Sequence, residues 1–129
     1  MVEFEVRTGA RNAFVDITSQ VQRAVDEIGL NDGAVLVWVP HTTAGVTVNE
    51  GADPDVVRDM IEALDRAVPW DAGWRHAEGN AAAHVKSSLV GCGQLVPVVG
   101  GRMDLGVWQA VWFCEFDGPR RRRVRVHAV

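Results

Sequence analysis

Three of the four histidines, His41, His76 and His84, lie in the stretch of the chain richest in polar residues. Imidazole exchanges protons near neutral pH, so histidines serve as general acids and bases and as the commonest metal ligands. Three separated histidines with one carboxylate suit zinc or a similar ion, although no compact His-Glu-x-x-His spacing is present. The pattern indicates a chemically active site and leaves open whether that site binds metal.

Glu50 is the carboxylate that the sequence favours as a partner of these histidines. It follows a predicted strand over 43–48 and lies just before a predicted helix. A carboxylate in this place is either a solvated side chain favoured by the helix dipole, or a metal ligand or general base. Asp53 needs no such role, because an Asp before Pro54 is already explained as a helix N-cap.

Lys86, the only lysine in the chain, is either a solvated residue or a ligand for phosphate. It lies two positions from His84 and hence on a different face of the predicted helix, though near the same end. Ser88 lies four positions from His84 and shares its face. Asn80 is predicted to cap this helix, whose free N–H groups suit a phosphate.

The loop over 70–79 is long enough to predict a role beyond connecting two helices. It contains Arg75 and His76, and neither residue follows a helical or strand period. Trp70 and Trp74 belong to the same loop. Tryptophan is usually a core residue, but in a loop it can also line a pocket.

Three helices and a larger number of strands must position these side chains. Helical spacing of apolar residues predicts helices that begin at Thr18, Pro54 and Ala81, and Gly29, Pro69 and Gly91 end them. The other segments have strand patterns: 2–7, 13–15, 34–39, 43–48, 94–99, 102–116 and 121–129. This order lacks regular βαβ alternation, so it predicts one α+β domain over 1–129, with a mixed, largely antiparallel sheet and helices mainly on one face.

The faces of the predicted strands carry further information. Residues 34–39 and 105–116 are apolar on both sides, which predicts central strands and an apolar face that another subunit would cover. Gly100-Gly101 predicts a hairpin turn. The run Arg120–Arg123 has the composition of a nucleic-acid patch, but strand alternation places Arg121 and Arg123 on one side. A solvated strand face or edge ranks first, a subunit contact second and nucleic acid third.

Composition excludes several classes of protein. The chain has 129 residues and a formal net charge of −4, which argues against nucleic acid as the main partner. No apolar run approaches the roughly 20 residues of a membrane span, and no secretory signal is visible. Cys92 and Cys114 lack a C-x-x-C spacing and are interpreted as reduced thiols. We therefore expect a cytoplasmic protein.

Several short motifs, taken together and in order, resemble the family of secondary thiamine-phosphate synthases. They cover most of the chain from about His41 onward. The matching segments are His41-Thr42-Thr43-Ala44, 49–54, His76-Ala77-Glu78-Gly79-Asn80, 83–88, 105–109 and 115–120. The family motif residues among them are His41, Glu50, Asp53, His76, Glu78, Asn80, His84, Lys86 and Ser88.

The resemblance implies a compact α+β homotrimer with a metal site near the subunit boundary. It also implies a transferase that joins a pyrimidine-methyl diphosphate to a thiazole phosphate and releases pyrophosphate. On this basis we predict a divalent ion, zinc or magnesium, bound by His41, His76 and His84. The predicted catalytic residues are His84, Glu50 and His41, and the predicted substrate-binding residues are Lys86, Asn80, Ser88 and Arg75.

Two alternatives to thiamine phosphate synthesis stay open. One is a metal-dependent hydrolase in which the histidines hold an ion and Glu50 activates its water. The other is a non-enzymatic trimer that binds a metal or a small phosphorylated ligand. The partners that we predict are a small phosphorylated substrate and further copies of the chain in a homotrimer, with neither nucleic acid nor a membrane.

Overall fold

The computed structural model describes all 129 residues and confirms an α+β fold with three helices and eight strands. The helices are α1 (Thr18–Ile28), α2 (Pro54–Ala67) and α3 (Ala81–Val90). The strands are β1 (Val2–Arg7), β2 (Ala13–Asp16), β3 (Gly33–Trp38), β4 (Ala44–Glu50), β5 (Gly93–Val99), β6 (Arg102–Met103), β7 (Gln109–Glu115) and β8 (Arg121–Ala128). None of the helices has the length and apolar character needed to span a membrane.

The strands form two sheets, and every pairing within them is antiparallel. The first sheet has five strands in the order β1-β8-β3-β5-β6, and the second has three in the order β2-β7-β4. Each sheet has at its centre a strand that the sequence marks as central, β3 and β7 respectively. The division into two sheets was not predictable, because alternation shows which side chains are buried and not which strands pair.

The main hydrophobic core joins both sheets to α1. Val21 and Val25 of α1 pack with Val35 and Val37 of β3 and with Phe113 of β7, and all five are fully buried. The other face of the three-stranded sheet carries a second cluster, in which Ala83 of α3 packs with Cys114 and Phe116. The helices α2 and α3 therefore cover the outer face of this sheet, while α1 belongs to the main core.

The strand predicted over 102–116 is in fact two strands with a turn over 104–108. Gly100 and Gly101 both have positive φ, 58° and 78°, and form the predicted hairpin turn. β6 then pairs with β5 in the five-stranded sheet, whereas β7 lies in the three-stranded sheet. The chain must leave one sheet to reach the other, so the strand is interrupted. In the turn, the side chain of Gln109 accepts a hydrogen bond from the Gly106 amide at 2.7 Å.

The arginine-rich strand β8 is not an edge strand, because it lies between β1 and β3. Arg121 and Arg123 are exposed, as predicted, and their guanidinium groups lie 3.5 Å and 4.0 Å from the carboxylates of Glu5 and Glu3. Arg122 points the other way and is only 3% exposed. Arg120 pairs with Asp117 at 3.1 Å, so the run contributes one buried cation and three further ion pairs.

Three of the connections that carry the chain from one sheet to the other lie together: 8–12, 39–43 and 116–120. Backbone hydrogen bonds hold them side by side, from the Thr8 amide to the Arg120 carbonyl at 3.0 Å and from the Phe116 amide to the Thr43 carbonyl at 3.2 Å. Polar residues far apart in sequence consequently meet where the chain crosses between the sheets.

Candidate functional site

A pocket of about 430 Å³ opens beside these connections. Its walls come from 40–43, from the loop and first turn of α3 between 76 and 84, and from 117–122. Apart from Pro40, every residue that lines it is polar or charged. The pocket is therefore suited to a small hydrophilic ligand.

His76 and His84 form the most distinctive contact in this pocket. Their ring centroids are 5.3 Å apart and the ring planes meet at 85°, an edge-to-face arrangement. His84 is half-buried on α3, and His76 lies in the exposed loop before it. A turn closed by the Gly79 amide on the His76 carbonyl, at 3.2 Å, brings the loop back over the start of the helix.

His41 comes from a distant part of the sequence, the connection from β3 to β4, but it lines the same pocket. Its Nε2 accepts a hydrogen bond from the Arg123 backbone amide at 2.9 Å. Partial burial, and then the nearby Arg122 guanidinium, hold the pKa of His41 below its ordinary value of 6.5. The structure thus brings together the three histidines that the sequence predicted, and His41 is neutral at pH 7.

Arg122 is the most deeply buried charged residue among the pocket residues that sequence reasoning missed, which also include Thr43, Asp117 and Arg120. Its Nε donates to Glu115 at 2.8 Å and its Nη2 donates to Glu115 and to the Thr43 hydroxyl at 2.9 Å. Burial acts to raise the pKa of Glu115, but hydrogen bonds from Arg122 and Thr8 outweigh it and leave that pKa below its usual value. The alternation of side chains along β8 could have identified Arg122 as an inward residue, because Arg122 lies on the same face of the strand as Val124 and Val126.

Asn80 lies at the start of α3, as predicted, but its side chain makes no capping hydrogen bond. Its amide nitrogen instead donates to Asp117 at 2.8 Å, and Asp117 also receives the Arg120 guanidinium at 3.1 Å. This leaves Asn80 Oδ1 buried and without a hydrogen-bond partner. Gly118 permits the close approach of this segment, since a Cβ there would lie 2.3 Å from the Ala10 carbonyl oxygen.

Glu50 is not in the histidine pocket. It ends β4, whereas His41 precedes that strand, so about 20 Å of extended chain separates the two. Its carboxylate accepts from the Ala52 amide at 2.8 Å and lines a separate small pocket beside Trp108. Asp53 caps α2 as predicted, with its carboxylate 2.9 Å from the Asp55 amide.

Two other carboxylates occupy the place that Glu50 was expected to fill. Glu78, from the loop before α3, and Asp117, from the connection between β7 and β8, both line the pocket. Asp117 is already paired, whereas the Glu78 side chain makes no hydrogen bond within the chain. Glu78 is therefore the carboxylate that a ligand can engage.

Lys86 is neither solvated nor in the pocket. It is 1% exposed, and its Nζ lies 2.7 Å from Asp65 on α2 and 3.3 Å from the Asn12 side chain. The aromatic ring of Phe116 is 6.0 Å away. Because Lys86 is two positions from His84 on α3, it faces α2 while His84 faces the pocket.

The remaining predicted binding residues also lie outside the pocket. Ser88 is exposed and its hydroxyl donates to the His84 carbonyl at 3.0 Å, a contact within the helix. Arg75 is exposed in the loop. Trp74 holds that loop through hydrogen bonds to the carbonyls of Pro69 and Trp70, both at 3.1 Å, and the Arg11 guanidinium stacks on Trp70 at 4.1 Å. The two tryptophans order the loop and do not line the pocket.

The side chains present are not arranged as the metal site that the sequence suggests. No three His, Cys, Asp or Glu side chains stand close enough together to hold an ion. His41 also uses Nε2 as an acceptor for Arg123, so that atom is not free for a metal. Zinc or magnesium at His41, His76 and His84 stays a prediction from the sequence.

The fold and pocket together define a small antiparallel α+β protein with a polar histidine pocket at its sheet-to-sheet connections. The chain belongs to the UPF0047 family of YjbQ-like proteins, whose family model matches residues 2–129. It is 51% identical over 119 residues to the UPF0047 protein YugU of Bacillus subtilis, which covers 92% of this chain and 90% of that protein. The UPF0047 protein MJ1081 of Methanocaldococcus jannaschii is 44% identical, and the alignment covers 100% of this chain and 94% of that protein.

A solved structure supports the same assignment. The crystal structure of a YjbQ/UPF0047-family protein from Clostridium acetobutylicum matches with a TM-score of 0.97 at 46% identity, over 100% of both chains. The predicted membership in a thiamine-phosphate synthase family is therefore wrong, since the family and its relatives carry the UPF0047 name. Thiamine phosphate synthesis and transferase activity lose their basis with it, and the comparisons support neither of the two alternatives.

Proposed function

We propose that the polar pocket is an active site in which His76 and His84 perform general acid–base catalysis on a small hydrophilic substrate. The edge contact of the two imidazoles, 5.3 Å apart in a pocket with polar walls, is the observation that carries this proposal. Imidazole takes up and releases protons readily near neutral pH. Two rings on one pocket therefore allow one to act as base while the other acts as acid.

His84 and His76 differ in how firmly they are held and in their access to water. His84 is fixed on α3, which the buried Ala82, Ala83 and Ser87 hold against the sheet, and the Ser87 hydroxyl bonds the Ala44 carbonyl at 2.7 Å. His76 is on the solvent side and can exchange protons with water. The pocket volume of about 430 Å³ lies within the usual range for small-molecule sites. Most such sites have apolar walls, so the polar walls here indicate a hydrophilic substrate.

Hydrolysis of p-nitrophenyl acetate tests the proposal, because this ester reports imidazole reactivity without knowledge of the natural substrate. We expect His76→Gln and His84→Gln each to lower kcat/KM by about tenfold or more. His127→Gln is the matched control, since His127 lies on β8 outside the pocket, and its rate should stay within about twofold of the parent. Equal rates in all four proteins would remove the proposal.

The same assay addresses the metal predicted from the sequence. Rates are measured in the presence of EDTA and again after zinc or magnesium is restored. A rate that is unchanged by chelation supports acid–base action by the side chains alone. A rate that disappears with EDTA and returns with zinc would make the ion part of the site.

The cytoplasm is the compartment in which we place this activity. Cys92 and Cys114 are both free thiols. Burial raises the pKa of the Cys114 thiol far above its ordinary value, which keeps it protonated and unreactive. This is consistent with a reducing compartment and with a site that depends on histidines rather than on a cysteine nucleophile.

A further inference from the structure

The hydrogen bond from Arg123 determines which nitrogen of His41 carries its proton. Only a ring nitrogen with a free lone pair can accept a hydrogen bond from a backbone N–H. The acceptor here is Nε2, at 2.9 Å. A neutral imidazole then has its hydrogen on Nδ1. Because Nε2 is occupied as an acceptor, Nδ1–H is a donor rather than a base or a metal ligand. Nδ1 has no partner within the chain.

Arg122 supplies a second unused donor to the same pocket. Its Nε and Nη2 are occupied by Glu115 and Thr43, whereas Nη1 makes no hydrogen bond within the chain. Asn80 Oδ1 is the one buried side-chain nitrogen or oxygen without a partner, so Arg122 Nη1 is not sealed from solvent. A guanidinium that is 3% exposed and still reachable from a pocket it lines has the character of a ligand-binding group.

We infer that His41 Nδ1–H and Arg122 Nη1–H form an oxyanion-binding subsite that holds a carboxylate or phosphate group of the substrate. This inference rests on the proposed function, because the subsite would hold the anionic end of the substrate on which His76 and His84 act. Donors of this kind bind oxyanions through charge-assisted hydrogen bonds. His41 is thus a substrate-binding residue, in place of the metal ligand that the sequence suggested.

The surroundings of Arg122 set the expected strength of the subsite. Glu115 already balances the charge of Arg122, so the attraction for an anion is local and depends on the hydrogen bonds. We expect a Kd for inorganic phosphate of about 1 mM or weaker, the range of a small ligand held by a few hydrogen bonds. Two anions distinguish which group the subsite binds, because acetate reports carboxylate recognition and inorganic phosphate reports phosphate recognition.

Calorimetric titration of the parent and of two His41 variants tests the subsite. His41→Asn keeps an amide donor near the place of Nδ1 and should retain binding within about threefold. His41→Leu has no donor and should weaken binding by about tenfold or more. His127→Leu is the control and should bind as the parent does. Equal losses in His41→Asn and His41→Leu, or no loss in either, would overturn the assignment of Nδ1 as the donor.

Nitrogen-15 NMR of the unmodified protein provides a measurement that does not depend on a variant folding. We expect the Nδ1 signal of His41 at a protonated, pyrrole-type shift and Nε2 at an unprotonated, pyridine-type shift. The reverse pattern would overturn the inference. Absence of binding by both anions to the parent would also overturn it, while leaving the ester-hydrolysis test of His76 and His84 unaffected. The two proposals can therefore fail separately.

Discussion

The ion pair of Arg122 and Glu115 connects the stability of the protein with the shape of the pocket. Both side chains are almost fully buried, and the hydroxyl of Thr8 donates a further hydrogen bond to Glu115 at 2.7 Å. Through Thr43 the same arginine holds the connection that carries His41. A buried pair contributes little compared with apolar residues of similar size, but loss of one partner leaves a buried charge without compensation.

Arg122→Ala should therefore be strongly destabilising. We expect the free energy of unfolding to fall by about 3–5 kcal/mol, because Glu115 would remain buried without its cation. Arg123→Ala is the matched control from the next position: its side chain is 66% exposed, and its ion pair at 4.0 Å should contribute less than about 1 kcal/mol. Urea unfolding of the three proteins measures both changes. Similar losses in the two variants would contradict the central role of Arg122.

At the scale of elements, α2 is attached to the protein in an unusual way. Its apolar stripe was predicted correctly, yet none of its residues is fully buried. An ion pair of 2.7 Å between Asp65 on α2 and Lys86 on α3 joins the two helices. The two partners differ, because the side chain of Asp65 is 52% exposed whereas that of Lys86 is 1% exposed. Water can replace the partner of Asp65 but not that of Lys86.

This difference predicts an asymmetry between two substitutions. Asp65→Ala leaves a buried ammonium with only Asn12 as partner and should cost about 1–3 kcal/mol of unfolding free energy. Lys86→Met keeps the side-chain volume, removes the charge and should cost less. Asp59→Ala, an exposed and unpaired position on the same helix, should stay within about 0.5 kcal/mol of the parent. Thermal unfolding measures all three, and an equal or larger cost for Lys86→Met would contradict the argument.

The whole molecule leaves one sheet face without cover. Val35 and Val37 of β3 point into the core, so Leu36 and Trp38 point outward, and Leu95 pairs with Leu36 on the neighbouring strand β5. Val99 continues the patch and is 59% exposed. Contiguous apolar surface of this kind marks an interaction site. We propose this face as the contact between copies of the chain, and the homotrimer itself stays a prediction from the sequence.

Leu95→Glu should disrupt this assembly. A charge in the middle of an apolar interface is desolvated without a partner, so we expect the parent to behave as a trimer and the variant to shift to the mass of a monomer, 14.1 kDa. Leu89→Glu on α3 is the matched control, because Leu89 is 64% exposed and Leu95 is 62% exposed. Sedimentation equilibrium at micromolar protein distinguishes the outcomes. A monomeric parent, or trimers of both variants, would exclude this face as the interface.

Much of the fold followed from the sequence, because local patterns specify local structure. The stripe of Met60, Ile61 and Leu64, with Pro54 at the first helical position, indicated α2 and its beginning. Gly100-Gly101 indicated the hairpin, since both residues adopt positive φ. Three histidines in a polar stretch indicated the pocket. The inferences about α2 and the hairpin depend on neighbours within a few positions along the chain, whereas the histidines were linked only by the polar character of the stretch that contains them.

Tertiary structure alone decided which polar residues meet. Glu50 seemed close to His41 in sequence, but the extended length of β4 places it at the opposite end of the sheet. Lys86 lies beside His84 on α3, but the helical turn directs it toward Asp65. Arg122, in an arginine run interpreted as solvated, became a pocket residue because β8 is a central strand with an inward face. The sequence determined the faces of the elements, whereas the pairing of strands into two sheets, and hence the crossing connections that form the pocket, depends on long-range packing energy that no local pattern records.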